Sequence, residues 1–531
     1  MILDLRELAD GQSFEADICV IGTGPAAMSF ALQYLGASGI KIIMVESGGL
    51  ESESDVQELY EGLSDGIDLP NGLDGSRLRF FGGSSNCWAG ACTPLDAIDF
   101  EARPWVPGSG WPITRDDLLP HYATAQGICN AGPFIYDDRN LNPADRDRKI
   151  PFARDKLETG YWRFSAEPRF GSFYRDRINN AANVTTILHA NATGLNANGA
   201  ADHVDSLSLR SLTGKKATVR ARHFVLACGG IENARILLYS NGAQTAGLGN
   251  GKDMVGRYFM DHPVAPIATI IGDEDDKRLK FYNLFNDPGP QANGTDVNLI
   301  IKMPASFQRK NEVLNSAAFI VDHEPAFSEG MMAAVRLRNA YRQKRLPEDL
   351  SGDVMDVIRD LDDVIINTYN RFFRYGERRT RLAIKIQGEQ QPNQDSRVQL
   401  SDKRDALGLP QTKLTWKLSE LDRKSVDVLA RVLAAELARL DIARTRLDDW
   451  TQEEAGALFP SDLRGGVHHT GTTRMSADAN TGVVDKNCRV HSVDNLFIAG
   501  SSVFPTNSWA NPTLTISALA VRLAGHVKSI L

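Results

Sequence analysis

Apolar positions along the 531-residue chain fall into two rhythms. Short apolar runs at 18–21, 40–45 and 496–499 have the character of strands buried on both faces, as in a parallel sheet. The first and last lead through glycine-rich turns toward helix-like stretches at 28–32 and 510–520. Strand-like pieces at 185–188, 204–209, 217–219 and 223–227 are separated by turn signals such as Asn198-Gly199 and Thr213-Gly214, which predicts a small antiparallel meander. A helix-like run at 231–238 follows Gly229-Gly230 and returns the chain to the parallel sheet. Beyond His262-Pro263 the pattern changes. Strand-like pieces at 264–271, 297–303, 382–387 and 397–400 surround a charged helical section, 331–380, as in an inserted α+β unit. Val426, Leu429, Leu433 and Leu437 recur at helical spacing and predict an amphipathic helix over 421–440. The Pro- and Trp-rich stretch from 105 to about 180 reads as a long excursion with short helices, a lid or an interface.

The densest local signal is Ile18-Cys19-Val20-Ile21-Gly22-Thr23-Gly24-Pro25-Ala26-Ala27. A G-x-G-x-x-[GA] pattern carries meaning when it joins a strand to a helix, as here. Gly22 permits the tight turn, Gly24 lets a pyrophosphate approach the backbone, and Ala27 keeps the helix close to the strand. The helix N-terminus adds unpaired N–H groups and a positive dipole end. The second apolar run ends in Glu46, placed to accept the hydroxyls of an adenosine ribose. The motif by itself leaves NAD and FAD both open.

Composition narrows the class. The chain is 42% hydrophobic and 24% charged, with a net charge of −8, so neither nucleic acid nor an anionic membrane is the expected main partner. No apolar run reaches the length of a membrane span, and the acidic start (Asp4, Glu7, Asp10) is unlike a signal peptide. Six cysteines in so long a chain are expected as reduced thiols, in the cytoplasm.

Chemistry-bearing residues concentrate in two places. The loop Gly82-Gly83-Ser84-Ser85-Asn86-Cys87-Trp88 packs small residues as if backbone ran against a flat ligand. Near the C-terminus, Gly465-Gly466-Val467-His468-His469-Thr470-Gly471 sets two histidines between glycines, where a base is at home; no neighbouring residues have metal-ligand spacing. Asn511-Pro512 reads first as a helix cap, although a helix N-terminus there would also suit the pyrimidine edge of a reduced flavin. The Cys87–Cys92 spacing is read as two structural thiols before a redox pair. The cluster Arg371, Arg374, Arg378, Arg379 and Arg381 is read as a solvated helix face.

Taken together, the Gly22–Ala26 turn, the Gly82-Gly83-Ser84-Ser85-Asn86 loop, Gly229-Gly230-Ile231-Glu232-Asn233-Ala234, and the stretch from His468 to Ala520 resemble the glucose-methanol-choline (GMC) flavoprotein oxidoreductases. Asn511-Pro512 and Arg474-Met475 look most like the branch containing pyranose oxidases and bacterial glycoside oxidoreductases. The resemblance implies FAD as the dinucleotide and hydride transfer from an alcohol carbon to flavin N5. It puts Gly22, Gly24, Ala27, Glu46 and Ser47 at the adenosine end, with Gly83, Ser85, Asn86, Trp88, Ala227 and Gly500 along the cofactor. Pro512 and Thr513 fall beside the ring. His468 falls on the position of the proton-accepting histidine, and Asn511 on that of its partner. Cys87 stands where relatives can carry a flavin-linked histidine, so non-covalent FAD is expected.

The expected fold is therefore α/β: a Rossmann-like FAD-binding domain assembled from discontinuous segments, 1–115, 181–265 and 460–531. It is interrupted by the excursion at 116–180 and by an inserted α+β substrate domain at 266–459. The expected reaction is oxidation of a sugar or glycoside secondary alcohol, at the C2 or C3 hydroxyl, with Gln387 and His469 as candidate substrate contacts. A sterol or simple alcohol is the alternative within the family. A flavin disulfide reductase using Cys87 and Cys92 would need a second nucleotide motif, which is not found. A non-catalytic electron-transfer flavoprotein would not need the His468/Asn511 pair. The acceptor, whether O2, a quinone or a protein, and the oligomeric state are open from sequence.

Overall fold

Parallel strands buried on both faces dominate the first sheet, as the unbroken apolar runs require. The computed structural model describes residues 1–67, 69, 71–272, 276–284, 295–323, 329–342, 346–347, 349–361, 364, 381–451, 459–460 and 463–531. Across the first sheet the order is Ile2–Asp4, Val184–Leu188, Ile42–Val45, Gln12–Ile21, Lys216–Leu226, Val204–Arg210, Asn191–Ala197. The first five are mutually parallel, and Leu496–Ile498 joins them by pairing with Phe224, Val225 and Leu226. The last two run antiparallel.

Two expectations about the meander are corrected here. Residues 185–188 belong to the parallel sheet, wedged between Ile2–Asp4 and Ile42–Val45, and the missing meander strand is Asn191–Ala197. That strand is half-solvated and too polar to show an apolar run. The pieces 217–219 and 223–227 form one continuous strand, Lys216–Leu226. Arg220 and Arg222 break the apolar pattern, but pairing with Gln12–Ile21 continues past them.

Successive carboxyl ends of the parallel strands are laced together. Gly22 N–H donates to Val45 O, Glu46 N–H to Ile187 O, Ala227 N–H to Ile21 O and Ala499 N–H to Leu226 O, all between 2.7 and 2.8 Å. Gly22, Glu46, Ala227 and Gly500 are therefore drawn onto a single edge, where ligands of such sheets bind. The C-terminal helix Thr513–Ile530 packs beside Pro25–Ala31 and Arg115–Ile128, and Ser29 Oγ donates to Ser517 Oγ at 3.0 Å.

The second sheet is antiparallel throughout, in the order Ala443–Leu447, Pro263–Gly272, Arg381–Gly388, Ser316–His323, Val297–Lys302, Glu158–Phe164, Ala91–Cys92. Its last two strands come from outside 266–459. Glu158–Phe164 arises within the stretch expected as an excursion, which also supplies the helix Arg115–Ile128. The helix Glu420–Arg439 lies against this sheet and buries Val426, Leu429, Leu433 and Leu437. Burial of four such side chains stabilises by roughly 1.5–3 kcal/mol each. Ser419 and Asp422 form a capping box at its start, worth about 1 kcal/mol.

The expected strand at 397–400 lengthens to Arg397–Arg404 and leaves the second sheet. It pairs with Pro410–Trp416, which runs parallel to Gly62–Gly66. The acidic stretch Glu51, Glu53, Asp55, Glu58 and Glu61 is thus followed by a strand of its own. Arg371, Arg374, Arg378 and Arg379 lie outside the described residues. Among the described residues, no helix is long and apolar enough to cross a membrane.

Candidate active site

A cavity of about 510 Å³ runs along the carboxyl edge of the parallel sheet, within the size range of small-molecule sites. Gly22, Gly24, Glu46 and Ser47 line it, as do Gly83, Ser85, Trp88, Ala227 and Gly500. His468, His469, Asn511, Pro512 and Thr513 line the same cavity. Three candidate residues do not face it. Ala27 is fully buried in the core beneath. Asn86 turns its amide to Phe81 O and Gly83 O, both at 3.0 Å. Gln387 is taken up by protein partners, as described below.

The glycines separate by function. A Cβ on Gly22, whose φ is +105°, would lie 2.6 Å from Ala227 O, so this glycine lets two strand ends meet. At Gly24 a Cβ would meet nothing within 4 Å, leaving its backbone open to the cavity. Glu46 is fixed in place: Oε2 accepts from Thr23 Oγ1 at 2.5 Å, and Oε1 accepts from Ser47 Oγ and Gly48 N–H at 3.0 and 3.1 Å.

A buried charge cluster that sequence reasoning did not single out also lines this cavity. Glu232 is bridged by Arg77, Arg79 and Arg235 at 3.4, 3.4 and 3.1 Å, and Arg77 and Arg79 both lie over the Tyr60 ring. Burial opposes ionisation of Glu232, but Arg235, Arg79 and Arg77 together hold its carboxyl below the ordinary value. Arg77-Leu78-Arg79 and Glu232 were both within conspicuous segments. Only the three-dimensional meeting of residues 155 apart reveals the cluster.

At the histidine loop, the Asp261 carboxylate accepts the backbone N–H groups of His262, Val467 and His468. His468 Nδ1 lies 3.0 Å from His262 Nδ1, the rings crossing at 73°. His262 Nε2 in turn lies 3.2 Å from Asn507 O. Burial, with His262 and His469 alongside, pushes the His468 pKa well below its ordinary value. Burial lowers His262 to about 4 and His469 to about 3. His469 Nε2 is buried without a hydrogen-bond partner, as is Arg79 Nε. These histidines are neutral near pH 7, and a neutral imidazole is the form that accepts a proton.

Asn511 does not cap the C-terminal helix, contrary to the first reading of its sequence. The cap position is held by Pro512 with no side-chain hydrogen bond, and Asn511 Oδ1 accepts from Gln387 Nε2 at 2.8 Å. The same Gln387 nitrogen donates to Trp509 O at 2.6 Å. Glu389, on the same segment, is closed off in a buried two-point pair with Arg103. Cys87 is exposed on the cavity wall, whereas Cys92 is fully buried beside Cys129.

Residues 392–520, which carry this histidine loop and Asn511, match the family model described as GMC oxidoreductase. Over these residues the chain carries the C-terminal domain of the GMC oxidoreductases. That family is one of oxidoreductases acting on CH–OH groups, and it implies FAD. The chain is 25% identical to 6'''-hydroxyparomomycin C oxidase of Streptomyces lividus, over 97% of this chain and 91% of that one. It is 37% identical to C-glycoside 3-oxidase of Microbacterium trichothecenolyticum, over 25% and 24% respectively. Its match to the fructose dehydrogenase large subunit of Gluconobacter japonicus, 26% identical, covers 58% of this chain and about half (47%) of that protein. Among solved structures, pyridoxine 4-oxidase from Mesorbium loti shares the fold, with a TM-score of 0.58 and 17% identity over 96% of this chain and 99% of that one.

The cavity fits the implied cofactor. Its lining includes both the anchored Glu46 and His468, Gly24 leaves backbone bare along it, and nitrogens of Arg79 and His469 that have no hydrogen-bond partner belong to lining residues.

Proposed function

We propose that this protein oxidises a secondary hydroxyl of a sugar or glycoside, at C2 or C3, to the ketone in an FAD-dependent reaction. The observation that carries the proposal is the presence of His468 and Asn511 on the wall of the same cavity as Gly22, Gly24 and Glu46. The names of the C-glycoside and hydroxyparomomycin oxidases support the substrate class. Gly22, Gly24, Glu46 and Ser47 hold the adenosine diphosphate end without a covalent bond. Gly83, Ser85, Trp88, Ala227 and Gly500 line the middle, and Pro512 and Thr513 border the reacting end. When bound, FAD supplies the two-electron sink, taking the carbinol hydride at N5.

The chain's own contribution is control of the hydroxyl. A sugar hydroxyl is a very weak acid, so its carbon releases hydride readily only if the O–H proton leaves in the same event. His468 takes that proton, and Asn511 hydrogen-bonds the oxygen without titrating. As the O–H and C–H bonds break, the C=O bond forms, which balances the step.

The test is an anaerobic screen of free pyranoses and glycosides for bleaching of the flavin, followed by admission of air. Bleaching by a sugar with product oxidised at C2 or C3 is expected, and His468→Ala should slow it by about 10²-fold or more. Rapid return of colour in air identifies an oxidase; persistence of the reduced state identifies a dehydrogenase using another acceptor. A screen in which simple alcohols bleach the flavin and no sugar does overturns the proposal.

A further inference from the structure

His468 and Asn511 each hydrogen-bond to a side chain behind them, and each of those reaches a backbone carbonyl of one short segment. His262 Nε2 faces Asn507 O at 3.2 Å, and Gln387 Nε2 faces Trp509 O at 2.6 Å. Ser508 lies between the two carbonyls with φ of +59°, a left-handed turn. The segment is itself anchored: Trp509 Nε1 donates to Asp96 at 3.0 Å, Asn507 Oδ1 accepts from Gln390 N–H at 2.9 Å, and Thr506 Oγ1 donates to Asp99 O at 2.8 Å.

A carbonyl oxygen only accepts, so each contact fixes which atom carries hydrogen. Facing Asn507 O, His262 must bear its proton on Nε2. With one ring proton, its Nδ1 is a lone pair. Across 3.0 Å that lone pair requires a proton on His468 Nδ1, which leaves His468 Nε2 bare. Facing Trp509 O, Gln387 must present its NH2, and the same nitrogen lies 2.8 Å from Asn511 Oδ1. The Asn511 oxygen is thereby occupied, and its NH2 is left for the cavity that Asn511 lines.

We infer that His262 and Gln387 are positioning residues that transmit the polarity of the Asn507 and Trp509 carbonyls to the reacting pair, giving His468 an acceptor and Asn511 a donor toward one substrate oxygen. This rests on the reading of His468 and Asn511 as the residues that meet the hydroxyl. The two polarities are complementary to the step. The hydroxyl O–H needs an acceptor for its proton, and the same oxygen gains negative charge as that proton leaves, which the Asn511 N–H stabilises. A reversed tautomer would set a donor against the O–H, and reversed amides would set an acceptor against the oxygen as it gains negative charge.

Histidine 15N spectra of the holoenzyme at pH 7, assigned with His468→Gln and His262→Gln, test the relay without any substrate. The expected result is a neutral His468 protonated on Nδ1 and a neutral His262 protonated on Nε2. The opposite tautomers, or an imidazolium at either ring, overturn the inference whether or not a sugar is ever oxidised. Kinetics with the sugar that bleaches the flavin fastest supply the second arm. His262→Leu removes the acceptor behind His468 and should slow flavin reduction at least tenfold. His262→Gln keeps a donor for Asn507 O and an acceptor for His468, and should restore the rate to within about threefold. Gln387→Glu offers Asn511 only acceptors, turns its NH2 away from the cavity, and should lower the reduction rate constant tenfold with a smaller change in KM. Full activity in His262→Leu or Gln387→Glu, with His468→Ala still inactive, sinks the relay but leaves the proposed function standing. Full activity in His468→Ala sinks the proposed function instead.

Discussion

The Asp261 carboxylate stands 2.8 Å from the backbone N–H of His468, a residue 207 positions away. It also accepts from His262 and Val467 N–H at 2.7 and 3.1 Å, so one buried side chain ties the start of the second sheet to the histidine loop. Burial pushes its pKa up to about 7, against the pull of those N–H donors. In Asp261→Asn an amide NH2 replaces one acceptor among donors. The loop should loosen, and flavin reduction should slow by about tenfold, the scale of one lost buried hydrogen bond. A carboxyl whose folded pKa is raised contributes stability that is fully present below 3.8 and lost as pH rises through about 7. The melting temperature of the parent protein, measured relative to Asp261→Asn, should therefore fall between pH 4 and 7. A difference that stays flat across that range refutes the buried, proton-binding Asp261.

The pH dependence of catalysis should carry a different mark. Burial disfavours the charged form of His468 and pushes its pKa well below 6.5. The ring thus remains a neutral base as pH falls through the range where a solvated imidazole would protonate. Stopped-flow reduction of the flavin by a responsive sugar should be level from pH 8 down to 6.5 and show no acid limb centred at 6.5. An inflection at that value would mean a solvated His468.

Two glycines of the dinucleotide turn should fail in different ways. Gly22→Ala places a methyl 2.6 Å from Ala227 O at a φ of +105°, so the strand ends must part. A cost of about 1–3 kcal/mol is expected, read as a lower melting temperature even in flavin-free protein. Gly24→Ala meets no protein atom within 4 Å. It should fold with an unchanged melting temperature when flavin-free, yet carry less flavin, measured by the ratio of visible to ultraviolet absorbance. Equal damage to stability in both variants would argue against a cofactor-facing Gly24.

Legibility in the sequence followed the physics of each element. The parallel strands 18–21 and 496–498 announced themselves because burial on both faces demands unbroken apolar runs. Asn191–Ala197 and Glu158–Phe164 went unread, the first being half-solvated and the second lying in a stretch without clear period. At the site, glycine-rich loops exposed His468 and the Gly22 turn, because backbone that must approach a ligand has little choice of residue. His262, Asp261 and Gln387 gave no such signal. Each sits at or beside the end of an ordinary strand, and the partner that gives it a role at the site lies more than one hundred residues away. Gln387 was singled out as a substrate contact, but its amide is spent on Trp509 and Asn511.

Cys87 bears on how the flavin is held. Its thiol lines the cavity and donates to Ser84 O at 3.3 Å, at the position that the family resemblance gives to a linking residue. Attack on a flavin ring requires a thiolate. Although Cys87 is exposed at the surface of the cavity, partial desolvation of its sulfur raises the pKa, and the nearby Arg169 only partly offsets this, so the thiol stays protonated near neutral pH. Its hydrogen is also engaged by a backbone carbonyl rather than by a base that would remove it. The flavin should therefore pass into the supernatant when the purified protein is precipitated with acid, and the released species should be intact FAD by chromatography. Cys87→Ser should keep the parent's flavin content and its rate of reduction. Flavin that remains in the acid pellet of the parent but is released from Cys87→Ser would establish a cysteinyl bond, and with it a base near Sγ that the geometry around Ser84 does not provide.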